Sequence, residues 1–112
     1  MKKFEKKWQA VTAFFKQKFT SGDNPQLDTI LFLIGIQEYG IVQSKFSKDE
    51  KLNLMHIATC KLLEPYGYYE FSHRDEAGWP HYKRLKNVEK TVEQEQLIKQ
   101  AIVNYFEINN LL

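Results

Sequence analysis

The sequence has little cysteine, proline or glycine. Among its 112 residues are one cysteine, Cys60, three prolines and five glycines. A lone cysteine excludes a disulfide within the chain and is typical of proteins from a reducing compartment. The five glycines are scattered and form no phosphate-binding loop. We therefore expect a cytoplasmic protein that does not bind nucleotides through a glycine-rich loop.

Long apolar runs and repeats are also missing. The most apolar run covers residues 30–36, whereas a membrane-spanning helix needs about 20 such residues. We therefore predict no transmembrane segment. No internal repeat or low-complexity linker divides the sequence, and the length suits one domain. The expected organisation is a single helical domain over residues 1–112.

The net charge of +2 is small but unevenly distributed. Residues 1–20 hold six lysines and one glutamate, whereas the rest of the chain has more acidic than basic residues. A basic end of this kind faces a polyanion or docks on an acidic part of its own chain. Aromatic residues make up 14% of the sequence and supply large side chains for a small core.

Apolar residues recur at helical spacing in four segments, so the sequence predicts a mainly α fold. The predicted helices cover residues 2–19, 25–42, 48–63 and 92–108. Asn24 and Pro25 suit the start of the second helix, and residues 47–50 (SKDE) form a capping box before the third. Thr91 has a capping-box spacing to Gln94, and two asparagines at 109–110 cap or fray the last helix.

Particular residues within the helices carry specific expectations. The second helix is apolar on nearly every side, and we expect it to be the most buried. Gly35 allows a neighbouring element to approach closely, and Gly40 does the same or ends this helix early. On the third helix, Leu52 is expected to face the core. Ile57 is expected among polar residues on the exposed side, as part of a partner surface.

A β-hairpin is predicted between the third and fourth helices, over residues 68–85. Asp75 and Gly78 occupy the first and fourth positions of a type I turn, which closes a three-residue hairpin loop. The resulting pairs are Arg74 with Pro80, His73 with His81, Phe71 with Lys83, Glu70 with Arg84 and Tyr69 with Leu85. In this register, one largely aromatic face covers the helices and Glu70 forms an ion pair with Arg84.

The histidines and the cysteine form one candidate metal site. His73 and His81 are opposite each other in the predicted hairpin, and His56 and Cys60 lie four residues apart on one helix face. Three histidines and one cysteine can surround zinc tetrahedrally. The competing interpretation is that all four are ordinary core or surface residues, and then no cofactor is expected. The residues suggest no catalytic group.

A second candidate site combines cations with apolar side chains, as a surface for nucleic acid or another partner. It comprises Lys2, Lys3, Lys6, Lys7, Lys16, Lys18, Ile57, Lys83, Arg84 and Lys86. Lysines neutralise phosphates, and exposed rings stack on bases. The first helix could also lie on an anionic membrane, which is the weaker interpretation. Because its rings follow one stripe at helical spacing, we expect most of them to be buried.

Two stretches resemble short bacterial proteins of unknown function. They are residues 45–71 (KFSKDEKLNLMHIATCKLLEPYGYYEF) and residues 76–82 (EAGWPHY). The resemblance implies a small cytosolic bacterial protein, and it implies no activity and no site residue.

The sequence favours binding over catalysis, because no arrangement of residues indicates a reaction. We predict a non-enzymatic protein-interaction module, or an accessory subunit of a bacterial cytosolic assembly. Alternatives are a nucleic-acid-binding protein that uses the basic first helix, and a zinc-binding protein with a His3Cys site. Self-association into a homo-oligomer is left open.

Overall fold

Four α-helices and one β-hairpin form the part of the chain that the structure describes. The computed structural model describes residues 2–19, 26–40, 43, 45–87 and 92–111. In chain order the elements are α1 (Lys2–Phe19), α2 (Leu27–Tyr39), α3 (Lys48–Leu63), a 3-10 turn (Glu64–Tyr66), β1 (Tyr69–Arg74), β2 (Pro80–Arg84) and α4 (Val92–Ile108). The prediction of a mainly α fold with a hairpin before the last helix is confirmed. No helix within these ranges has the length and apolarity to cross a bilayer.

The contacts group the chain into two units. The terminal unit comprises Met1–Gln26 and Glu89–Leu112, with α1 and α4, and the central unit comprises Leu27–Val88, with α2, α3 and the hairpin. This grouping does not test the expected single domain, which stays a prediction.

Aromatic packing holds α1 against α4 in the terminal unit. Val11, Phe15 and Phe106 are buried. The ring of Phe106 meets Phe14 edge-on at 5.3 Å and Phe15 at 5.5 Å between ring centroids. The apolar stripe predicted for the first helix is therefore confirmed at its centre, because these side chains pack within the unit.

The end of α4 is capped, as its asparagine pair suggests. Asn110 adopts a left-handed conformation with φ of 55°. The Leu111 N–H then donates to the Phe106 carbonyl over 2.8 Å, which is the 6→1 bond of a Schellman motif. Asn109 adds a side-chain bond to the Tyr105 carbonyl at 2.8 Å. The cap predicted at Thr91 lies outside the described residues.

Gly35 sets the closest approach of α2 and α3 in the central unit. A Cβ atom added at this buried glycine would overlap the carbonyl oxygen of Leu54. The expectation of a close approach at Gly35 is confirmed. Side chains on other sides of α2, including Phe32, Leu33 and Ile36, are only half-buried. The composition of α2 suggested burial on nearly every side. The structure shows instead that some of these sides are only partly covered.

The second helix is shorter than predicted. It ends at Tyr39, because Gly40 has a positive φ of 80° and donates its N–H back to the Ile36 carbonyl over 2.9 Å. The alternative that Gly40 ends the helix early is therefore confirmed, and the predicted end at residue 42 is wrong. The helix begins at Leu27, and the predicted start signals at 24–25 lie outside the described residues.

The capping box predicted for α3 is present, but the predicted faces of this helix are wrong at two positions, Leu52 and Ile57. Ser47 and Glu50 exchange side-chain and backbone hydrogen bonds of 2.8 and 3.1 Å. Ile57 is only 2% exposed and Leu52 is 56% exposed. The reason is that α3 packs on α2 and also on both hairpin strands, which widens its buried arc. Ile57 is therefore a core residue and no part of a partner surface.

The hairpin has the predicted turn and a different register beyond it. Residues 73 and 74 pair with His81 and Pro80 as predicted. A bulge between Phe71 and His73 then shifts the register by one residue, because two residues of one strand oppose one of the other. The remaining pairs are Phe71 with Tyr82, Glu70 with Lys83 and Tyr69 with Arg84. The predicted Glu70–Arg84 pairing is wrong.

The bulge also changes which hairpin side chains are covered. Because side chains alternate along a strand, Pro80 and Tyr82 share one face, and His81 and Lys83 share the other. Pro80 is buried and Tyr82 half-buried, whereas His81 and Lys83 are exposed. The predicted cover by Phe71 and Leu85 is wrong, since these side chains are 45% and 51% exposed.

Candidate functional site

Arg74 fastens the hairpin to the carboxyl end of α2. Its guanidinium donates to the Glu38 carbonyl at 2.8 Å and to the Tyr39 carbonyl at 3.2 Å. A third bond of 2.8 Å reaches the Gly78 carbonyl in the hairpin turn. The last carbonyls of a helix lack partners within the helix and attract a cation. Arg74 thus supplies hydrogen-bond donors to the last carbonyls of α2 and to a carbonyl of the turn.

A ring stack reinforces this attachment. Trp79 lies parallel to Tyr39 at the end of α2, with 4.0 Å between centroids and 15° between planes. Tyr39 is buried under it, and Pro80 beside Trp79 is also buried. We call Arg74 and Trp79 the hairpin anchor. Both residues fix the turn end of the hairpin to one helix.

The opposite end of the hairpin is attached to α3 and the 3-10 turn. Glu64 accepts the Phe71 N–H at 3.0 Å, and the Tyr69 ring meets His56 edge-on at 6.2 Å. Burial, together with the nearby carboxylates of Glu38 and Glu64, raises the pKa of Tyr82 to about 12. The hairpin is therefore held at both ends, with its inner face against the helices.

The outer side of the turn carries two stacked imidazoles. His73 and His81 lie parallel, with 4.8 Å between centroids and 6° between planes. His81 donates from Nε2 to Asp75 over 2.9 Å, and His73 Nδ1 lies 2.9 Å from the Ser72 hydroxyl. Asp75 also accepts the backbone N–H groups of residues 77 and 79 at 3.0 and 2.9 Å. His81 thus supports the turn through Asp75, and His73 stacks on it.

The structure does not bring the four predicted zinc ligands together. His56 and Cys60 are neighbours on α3, with 3.5 Å between Nε2 and Sγ, while His73 and His81 form the separate stack. Within the described residues there is no cluster of three or more metal-ligating side chains. The lone pairs of parallel rings lie in two separate planes, so the stacked pair does not converge on one ion. The expected cross-strand neighbours are confirmed, but a His3Cys geometry is absent.

Cys60 is a core residue in this fold, and its surroundings disfavour the reactive thiolate. It is 1% exposed, and burial raises the pKa of its thiol to about 12. Because the thiolate is the nucleophile, we expect Ellman's reagent at pH 8 to modify the native chain more than about a hundredfold slower than the urea-unfolded chain. Equal rates in the two states would contradict the burial of Cys60.

Asp75 makes the hairpin sensitive to acid. The hydrogen bond from His81, followed by that from the Trp79 N–H, holds the pKa of Asp75 below its ordinary value of 3.8. The folded state therefore favours the carboxylate, and its contribution to stability is full above this pH. That contribution is lost as the pH falls through the lowered pKa.

We expect Asp75→Asn to be less stable than the parent chain at pH 7, and the difference to shrink below about pH 4. Urea denaturation at a series of pH values measures it. Glu50, whose pKa the Ser47 hydrogen bonds also lower, is unchanged in both proteins and serves as the internal reference. Parallel stability profiles for the two proteins would contradict the assigned role of Asp75.

The predicted basic surface is divided between the two units. In α1, Lys3, Lys6 and Lys16 are exposed, and Lys7 forms a 3.0 Å ion pair with Glu107. The side chains of Lys2 and Lys18 lie outside the described part of the chain. On the hairpin, Lys83, Arg84 and Lys86 are exposed, and the Lys86 amine lies 4.4 Å from the centroid of the Tyr68 ring. Ile57, predicted with them, is buried.

The hairpin anchor was not predicted from the sequence. One available signal is that the last turn of α2 has no basic residue, so its carbonyl end has no cation of its own. The sequence does not say that Arg74 supplies this cation, because the contact joins residues 35 and 36 positions apart. Trp79 after the turn glycine is a second signal, since large rings rarely stay unpacked.

Comparison with known proteins gives no relative. The chain matches no family model, no curated protein and no solved structure.

Proposed function

We propose that this chain is a non-enzymatic protein-interaction module, an accessory subunit of a bacterial cytosolic assembly, and that the hairpin is its binding element. One observation carries the proposal: a hairpin held at both ends carries large apolar side chains that are open to solvent. Phe71 and Leu85 are about half exposed. The anchor and the Glu64 contact hold the strands that carry them.

Ordering a binding surface during association costs free energy. A two-stranded hairpin alone is marginally stable in water, and ordering it during association would weaken binding. Arg74, Trp79 and Glu64 fix the strands before any partner arrives. Exposed apolar side chains on a preformed element are typical of contact surfaces between proteins.

The experiment is capture of partners by the tagged full chain from lysate at low salt, with and without nuclease. We expect a discrete set of proteins that survives nuclease treatment. The double change Phe71→Ser and Leu85→Ser should lose this set. Leu52→Ser is the matched control, because Leu52 is equally exposed on α3, and it should retain the set.

Two results would contradict the proposal. The chain could be recovered without partners under both conditions, or the double variant could retain everything that the parent chain binds. Loss of all partners with nuclease would favour the nucleic-acid alternative. The rings of α1 give that alternative little support, because Phe15 is buried against Phe106 and one face of Trp8 lies under the Lys99 amine.

A further inference from the structure

The two strands of the hairpin have different outer edges. Within the described residues, β1 and β2 pair only with each other, so each has one edge without a neighbouring strand. On β1, the Phe71 N–H at this edge donates to Glu64 over 3.0 Å. One outward N–H of the β1 edge is therefore already bonded to a side chain. No described side chain donates to or accepts from the backbone of Tyr82 or Arg84 on β2 in this way.

The hydrogen-bond pattern shows which groups of β2 point outward. The Leu85 N–H donates to the Tyr68 carbonyl across the hairpin at 2.8 Å. In an antiparallel pair, bonded and non-bonded pairs alternate, so the next pair, Tyr69 with Arg84, is non-bonded. Phe71 with Tyr82 is non-bonded for the same reason. The N–H and C=O groups of Tyr82 and Arg84 therefore point away from β1.

The same pattern is supported on β1 by an independent contact. If the Phe71–Tyr82 pair is non-bonded, the Phe71 N–H must also point outward, and Glu64 accepts it there. Among the residues that the structure describes, two donors and two acceptors thus remain without a partner along the edge of β2. A row of this kind is the template to which an extended peptide adds as another strand.

The charges beside this edge select the partner. Lys83, Arg84 and Lys86 are exposed, and none forms an ion pair of 4.0 Å or less with a carboxylate among the described residues. Glu70 lies opposite Lys83 in the register, but the other two cations have no acidic residue as a cross-strand neighbour. A partner that carries carboxylates would neutralise this end of the strand.

We infer that the outer edge of β2 binds an acidic, extended segment of a partner protein as a third strand. The segment pairs with Tyr82 and Arg84, and its carboxylates meet the neighbouring cations. Leu85 between two cations adds an apolar contact. This apolar contact favours a protein segment over nucleic acid. The inference rests on the proposed function and names its surface and partner.

The test is titration of the full chain with a fluorescent synthetic peptide that alternates glutamate with valine and threonine. A matched peptide has lysine in place of glutamate, and an unlabelled single-stranded oligonucleotide serves as competitor. Fluorescence anisotropy at low and high salt gives the affinities. We expect the acidic peptide to bind, its affinity to fall with salt, the lysine peptide not to bind, and the oligonucleotide not to displace it.

Arg84→Pro and Arg84→Ala form a matched pair of variants. Both remove the guanidinium, but only proline removes the outward N–H, and the hairpin itself does not use that N–H. We expect Arg84→Pro to bind the acidic peptide roughly tenfold more weakly than Arg84→Ala, as for one lost hydrogen bond. The double change Lys83→Glu and Lys86→Glu should reverse the preference towards the lysine peptide. This variant contains no new proline, so its result does not depend on how proline affects the strand.

Three results would overturn the inference. Absent binding of the acidic peptide is one, and equal affinity of the proline and alanine variants, with no reversal in the glutamate variant, is another. Displacement by the oligonucleotide would assign the surface to nucleic acid. Failure of this inference is distinct from failure of the proposed function: in the first case lysate partners remain on the parent chain and on Arg84→Pro alike.

Discussion

Gly35→Ala is expected to lower the free energy of unfolding by about 2–3 kcal/mol. Two effects oppose each other at this position. Alanine favours a helix over glycine by about 1 kcal/mol, which would stabilise α2. The added methyl group, however, overlaps the carbonyl of Leu54 on the facing helix. Backbone atoms cannot rotate aside, so α2 and α3 must separate and lose packing along their contact.

Urea denaturation followed by circular dichroism measures this effect. Gln37→Ala is the control, because Gln37 is an exposed residue of the same helix and its change should stay within about 0.5 kcal/mol. If Gly35→Ala were instead more stable than the parent chain, helix propensity would dominate and the close approach at Leu54 would be wrong.

Ile57→Lys is expected to unfold the chain or to cost about 3–5 kcal/mol, whereas Leu52→Lys should cost less than about 0.5 kcal/mol. Both positions lie on α3, and both changes replace an aliphatic side chain by lysine. They differ in burial, because Ile57 is 2% exposed and Leu52 is 56% exposed. A lysine at 57 loses the apolar contact and brings an unpaired charge into the core.

Thermal and urea unfolding of the two variants measure the difference directly. The assignment of faces from the sequence gives the opposite order, with Leu52 inside and Ile57 outside. Equal stability of the two variants, or greater loss at Leu52, would therefore restore the faces inferred from periodicity and refute the structural ones.

Local signals in this sequence predicted local structure well. The bounds of α3 agree with its capping box and with Pro65 after its end, and the turn agrees with Asp75 and Gly78. Each of these features depends on residues within four positions of one another. They can therefore be predicted without knowledge of any tertiary contact.

Features that depend on distant contacts were missed. The bulge next to Phe71 shifts the register. Beside it, Glu64 accepts the Phe71 N–H, and the Tyr69 ring packs on His56 of α3. The burial of Ile57 depends on α3 having neighbours on two sides. For the candidate site, the sequence placed His73 beside His81 but could not give the parallel ring orientation.

The sequence separation of these contacts predicts the order in which the central unit closes. Asp75 and Trp79 close the hairpin turn over four positions, whereas Arg74 and Glu38 meet over 36. The entropic cost of closing a loop rises with its length, so the turn can form before the strands dock. Release of Arg74 from α2 then opens the turn end of the hairpin, while Glu64 still holds the Phe71 N–H at the other end. Amide hydrogens near the turn would therefore exchange through this local opening, while those of α2 and α3 exchange only when the helix pair unfolds.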